Sequence, residues 1–136
     1  IIHYLVNAAG RNANFLLNIG PMPNGKIQPE FVDTLTKVGE WMKKNGESIY
    51  GTRGNVAEPQ QWGVVTSKEK TLYAHILSAP GQDYIFIPSL KQKIAKVSLL
   101  ANGNSLKFKQ QPEGVFIYLK GIETDPYDTV IKLSTN

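Results

Sequence analysis

The strongest constraint on this chain is a change of hydrophobic period near residue 55. Before it, apolar residues recur at helical spacing. Ile1, Ile2, Leu5 and Val6 predict a helix stopping at Gly10. Phe31, Leu35, Val38 and Met42, widened by Val32 and Trp41, predict a second helix. Pro29 and Glu30 suit its first turn, Lys43 and Lys44 its last, and Gly46 its C-cap. Between the helices, Phe15-Leu16-Leu17-Asn18-Ile19 is an apolar run of the kind buried in parallel sheets, and Gly20 to Gly25 is a loop. After Gly51-Thr52-Arg53-Gly54 the period drops to two. Short alternating segments near 62–67, 71–77, 83–88, 94–101, 105–110, 114–120 and 129–135 predict strands, with Asn102-Gly103 as a hairpin turn. The chain therefore divides into residues 1–54, an α/β piece, and residues 55–136, an antiparallel β-sandwich.

The α/β piece holds about one and a half units and cannot close a sheet alone. A (β/α)₈ barrel takes about 250 residues, and the chain has 136. The first helix has no initiator Met, no cap and no signal peptide before it, so the chain reads as entering mid-helix, as a fragment does. No apolar run reaches the roughly 18–20 residues of a membrane span. With no cysteine, disulfides, thiolate metal sites and cysteine nucleophiles are excluded. The net charge of +4 is shared evenly by the two parts, with no basic helix stripe and no RNA-binding aromatic motif. Nucleic acid is not an expected partner. Lys107 and Lys109, two residues apart, mark a solvated or guarded sheet edge.

Chemistry is sparse. His3 and His75 lack a second ligand at metal spacing, so no metal and no cofactor are expected, and no Ser-His-Asp set assembles. His75 is expected to be a packed or surface strand residue. Among the strand aromatics, Tyr84 with Phe86 and Phe116 with Tyr118 each share a face, as core, as a contact with a neighbouring domain or as a sugar-stacking platform. Trp62 is a candidate carbohydrate contact. Asn14 and Asn18 share one face of the predicted parallel strand, and Asn18 stands at its carboxyl end, where α/β sheets bind ligands. Both are candidates for the pocket or its immediate support.

The run Asn14-Phe15-Leu16-Leu17-Asn18-Ile19-Gly20-Pro21 resembles the last-strand signature of the α-L-fucosidases of glycoside hydrolase family 29. The likeness continues through Pro23-Asn24-Gly25-Lys26-Ile27-Gln28-Pro29, Val38-Gly39-Glu40-Trp41 and Asn45-Gly46-Glu47-Ser48-Ile49-Tyr50-Gly51-Thr52. Trp62-Gly63, Thr66, Leu72-Tyr73-Ala74 and Val97 with Leu99-Leu100 resemble the family's C-terminal sandwich more loosely. The resemblance implies that residues 1–54 end a (β/α)₈-like catalytic barrel. It implies a retaining exo-α-L-fucosidase, whose aspartate nucleophile and glutamate acid/base lie upstream of these residues. The implied partners are a fucosylated glycan and the N-terminal part of the barrel. Glu30, Asp33, Glu40 and Glu47 fall on or just after the last helix and match neither catalytic position. Family members are commonly exported. With no Asn-X-Ser/Thr sequon here, the expected location is periplasmic or secreted.

Overall fold

A computed structural model describes residues 1–136. Helices α1 (Ile2–Gly10) and α2 (Pro29–Asn45) are followed by a 3₁₀ turn over Gly46–Ser48. Seven strands follow: β1 (Gly63–Lys68), β2 (Thr71–Ile76), β3 (Tyr84–Pro88), β4 (Ile94–Leu99), β5 (Phe108–Gln111), β6 (Gly114–Tyr118) and β7 (Thr129–Thr135). They form two antiparallel sheets, ordered β1-β2-β7-β4 and β3-β6-β5. No helix is long and apolar enough to cross a membrane.

Alternation along each strand places the core. Val65, Leu72, Ala74, Val97, Leu99, Ile131 and Leu133 of the first sheet face Ile85, Ile87, Val115 and Ile117 of the second, all nearly solvent-free. Each such side chain contributes about 1.5–3 kcal/mol on burial. The alternate positions of the first sheet are buried too. Val64, Tyr73 and Val130 pack against Ile2 and Val6 of α1 and Trp41 of α2. The molecule thus has three layers: helices, four-stranded sheet and three-stranded sheet. Of the two sheets, only the second has an uncovered outer face.

The seam between helices and sandwich is tight. A Cβ on Gly54 would lie 2.3 Å from the backbone of Gly10, and one on Gly10 would lie 2.5 Å from Val64 Cβ. Asn12, at φ +54°, clasps the contact: its Oδ1 accepts from Gly54 N at 2.7 Å, and Asn55 N donates to Gly10 O at 2.9 Å. Short polar side chains tolerate this left-handed conformation best after glycine.

Three local expectations are corrected. Residues 14–19 are extended but form no strand, because no other strand lies beside them to take their backbone hydrogen bonds. Asn102-Gly103 is not a hairpin within one sheet. It passes the chain from β4 of the first sheet to β5 of the second, with a single bridge, Ser98 to Ser105. Gly46 is the C-cap of α2, as expected, in a right-handed conformation at φ −57° with its N–H bonded to the Met42 carbonyl. In α2, Trp41 is buried, but Phe31 and Val32 are 41% and 49% exposed, since α2 meets the sandwich only through its C-terminal half.

Backbone contact at the seam predicts that Gly54→Ala lowers the urea midpoint of the 136-residue chain by more than 1 kcal/mol equivalent, roughly the scale of overpacking. Gly39→Ala, in the middle of α2 with nothing within 4 Å, is expected to raise it by about 0.5–1 kcal/mol. Equal midpoints for the two variants would contradict the seam.

Candidate functional site

The densest polar chemistry lies where the first sheet meets the 3₁₀ turn. Its register sets Val64, His75 and Val130 in one outward row and Thr66, Tyr73 and Lys132 in the next. The helical layer covers both rows. Polar groups in them must therefore find partners within the protein.

His75 is fully buried. Its Nδ1 lies 2.6 Å from Asp128 Oδ2 and its Nε2 3.1 Å from Thr66 Oγ1. Thr66 Oγ1 donates to the carbonyl of Ser48 at 2.7 Å, and Ser48 Oγ donates to the carbonyl of Asn45 at 2.6 Å. The proton positions follow. A carbonyl only accepts, so the Thr66 proton points at Ser48 and Nε2–H donates to Thr66. Nδ1 and Asp128 then share one proton between them. Whichever atom holds it, the pair is net neutral, as burial of both side chains favours. Burial, opposed by the His75 hydrogen bond, pushes the Asp128 carboxyl above its usual range. Asp128 Oδ1 has no partner in the protein. The backbone N–H of Asp128 is itself held by Asp125 Oδ1 at 3.1 Å, which orients the loop that delivers the carboxyl.

Asp128, His75 and Thr66 have the order of a hydrolase triad. Their burial excludes that chemistry: Thr66 is solvent-free and its proton is committed to a backbone carbonyl. What the arrangement does is fasten the 3₁₀ turn after α2 to the sheet. A second polar link lies one row away. Glu47 Oε2 accepts from Tyr73 Oη at 3.0 Å and from Lys132 Nζ at 2.9 Å. The Lys132 contact holds the Glu47 carboxyl below its ordinary value of 4.5, and burial pushes the Tyr73 phenol up to about 12.

The residues singled out from the sequence are distributed elsewhere. Asn14 and Asn18 are exposed in the extended 14–19 segment. Asn14 borders a surface cavity of about 490 Å³ with Leu5, Asn12, Phe15 and Arg53, and Asn18 does not reach it. The segment keeps its alternation, with Phe15 and Ile19 half-buried and Leu16 91% exposed. Phe15 stacks on Tyr4 at 6.3 Å. Trp62 is 7% exposed and packed in the sandwich core. A sugar needs an open ring face, which Trp62 does not present. His3, on α1, bonds through Nε2 to the Tyr127 carbonyl at 2.6 Å, tying α1 to the loop before β7. Sequence reasoning missed Asp128, 53 residues from its partner. No local signal marks such a pair. Burial of His75 among apolar strand residues was the available hint that it needed a carboxylate.

A helical layer packed through polar links on a seven-stranded sandwich defines the class: a two-helix layer joined to an antiparallel β-sandwich. Comparison with known proteins places it further. Residues 1–47 match the model of the α-L-fucosidase family, and residues 55–133 match that of the α-L-fucosidase C-terminal domain. The chain belongs to the α-L-fucosidase family. It is 38% identical over 124 residues to the tissue α-L-fucosidase of Mus musculus, covering 88% of this chain and 27% of that protein. It is 31% identical to the plasma α-L-fucosidase of Homo sapiens over a similar span. Among solved structures, α-L-fucosidase isoenzyme 1 of Paenibacillus thiaminolyticus superposes with a TM-score of 0.87 at 33% identity, over 99% of this chain and 34% of that one. The chain thus spans about a quarter to a third of the length of these relatives.

Two outcomes test the seam. Thr66→Val leaves the Ser48 carbonyl and His75 Nε2 unpaired and is expected to cost about 1–3 kcal/mol of stability, read by urea unfolding. The Glu47 carboxyl titrates lower in the fold than unfolded, so its contribution is complete above 4.5 and is lost as pH falls through the lowered folded value. Glu47→Gln should cost under about 1 kcal/mol at neutral pH, because the pair is half-exposed. The gap to the parent chain should close on acidification.

Proposed function

We propose that this chain is the C-terminal part of a retaining exo-α-L-fucosidase that removes terminal α-L-fucose from glycans. The observation that carries this reading is the ordered match of both segments to the two fucosidase models. The α/β piece supports it. Tyr4, Leu16, Leu17, Ile27, Phe31 and Val32 are 39–91% exposed along α1, the extended segment and α2. Apolar surface on this scale marks a face that another body covers. In this reading the body is the preceding part of a (β/α)₈-like barrel. Residues 14–19 become its last strand once a neighbouring strand supplies backbone partners.

Retaining hydrolysis needs two carboxyl groups about 5–5.5 Å apart, one as nucleophile and one as acid then base. Glu30, Asp33 and Glu40 are exposed on α2, Glu47 is bonded to Tyr73 and Lys132, and Asp128 is buried on His75. In this reading the catalytic pair lies, as the family resemblance implies, in the part of the barrel preceding this chain. As the strand forms, Asn18 at its carboxyl end and Asn14 two turns of the pleat before it support the pocket floor. The sandwich buttresses the barrel through the Gly10–Gly54 contact and the His75–Asp128 relay. A glycan substrate fits a periplasmic or secreted location.

The full-length polypeptide is expected to release fucose from an aryl α-L-fucoside with retained anomeric configuration, read by proton NMR of the first-formed sugar. The isolated 136-residue chain is expected to release none. Turnover by that chain alone, or an inverted product, would overturn the reading. Asn18→Ala in the full-length polypeptide should lower kcat/KM about tenfold, roughly 1.4 kcal/mol of lost transition-state stabilisation.

A further inference from the structure

The outer face of the second sheet is a regular grid. Ile85, Ile87, Val115 and Ile117 point into the core at 0% exposure, so their neighbours point outward. Register then sets Tyr84 beside Tyr118 and Phe86 beside Phe116. On the third strand Lys109 lies beside Phe116. Tyr118 N donates to the Lys107 carbonyl at 3.0 Å, which continues the ladder by one row. Each of these two rows therefore reads aromatic, aromatic, lysine. The third row is Pro88, Gly114 and Gln111. No acid stands on the grid.

The aromatic columns are a connected cluster. Phe86 and Phe116 have centroids 4.6 Å apart, and Tyr84 and Phe116 5.7 Å. Tyr118 is 42% exposed and the other three rings are half-buried. The outer face of the first sheet is covered by α1 and α2; this one faces away from both. Lysines on an edge strand guard against strand pairing, and that accounts for Lys107 and Lys109 alone. It does not account for four outward aromatics on the adjoining strands, since such surface is retained where something binds. Both lysines are exposed, and the ion pairs of the chain involve other cations.

We propose that this face is a non-catalytic binding site for a sulfated oligosaccharide. Pyranose C–H groups rest on the negative faces of the tyrosine and phenylalanine rings. Sulfate groups meet Lys107 and Lys109, whose backbones stand about 6.6–6.8 Å apart along the strand and whose ammonium groups act as point charges for tetrahedral anions. Charge complementarity selects the occupant. Two lysines outside any ion pair call for more than one anionic group beside an apolar ring, which a neutral sugar or a glycan with one terminal carboxylate does not supply. The choice of a glycan rests on the fucosidase reading; the lysine and aromatic grid does not.

The test titrates the full-length polypeptide with a sulfated fuco-oligosaccharide, its desulfated counterpart and a single-stranded DNA oligomer, by calorimetry. The sulfated sugar is expected to bind with Kd below about 1 mM and to weaken as salt rises. Desulfation, the Lys107→Ser/Lys109→Ser double variant, and Tyr118→Ala are each expected to weaken it tenfold or more. Tyr118 is exposed, so its variant keeps the fold, which circular dichroism checks. No binding of the sulfated sugar, equal affinity for DNA, indifference to Tyr118→Ala, or a dimer that buries this face would each overturn the proposal. Hydrolysis of an aryl α-L-fucoside is followed in parallel and should be unaffected by Tyr118→Ala. Binding without hydrolysis by the parent polypeptide would remove the fucosidase reading alone, and hydrolysis without binding would remove this site alone.

Discussion

The four-stranded sheet has to be covered on both faces, and most of the chain follows from that requirement. One face meets the second sheet through aliphatic residues. The other carries Val64, Tyr73, His75 and Val130, which no exposed strand face would hold together. Helix α1 and the C-terminal half of α2 supply the cover. Antiparallel sheets usually leave one face to water. This one gives up that option, and so every polar group on its covered face needs a protein partner.

That need explains the chain of hydrogen bonds from Asp128 through His75 and Thr66 to the backbone of Ser48 and Asn45. A hydrophobic residue at position 75 would pack as well and ask for nothing. The polar relay adds direction: it accepts only one placement of the turn after α2, because carbonyl, hydroxyl, imidazole and carboxylate must meet in sequence. Nonpolar packing at Trp41 and Val6 holds the layers together, and the relay sets their register.

Much of the sandwich was legible in the residues. The seven strands fall within a few residues of the segments read from alternation, and Ile85, Ile87, Val115 and Ile117 are buried, one of the two alternating sets that the pattern left open as core. The helices were legible for the same reason. What could not be read was anything decided by distant pairing. Trp62 stands as core residue or carbohydrate contact until the sandwich core closes around it. Asn102-Gly103 looks like a hairpin until β4 and β5 join different sheets. Asp128 gives no local sign of His75. The 14–19 segment has the composition of a buried strand, but composition supplies no neighbour, and a strand is a property of two chain segments.

The contact between Gly10 and Gly54 has a consequence for how such proteins can be rearranged. The two residues meet backbone to backbone, with no room for even a methyl group. There is no slack tether across the junction. A sandwich cut out after residue 54 would leave behind the residues that Val64 and the relay lean on. Recombination at this boundary would therefore separate two halves of one interface. The exchangeable unit begins no later than α1, and lineages that trade this sandwich must carry α1 and α2 with it.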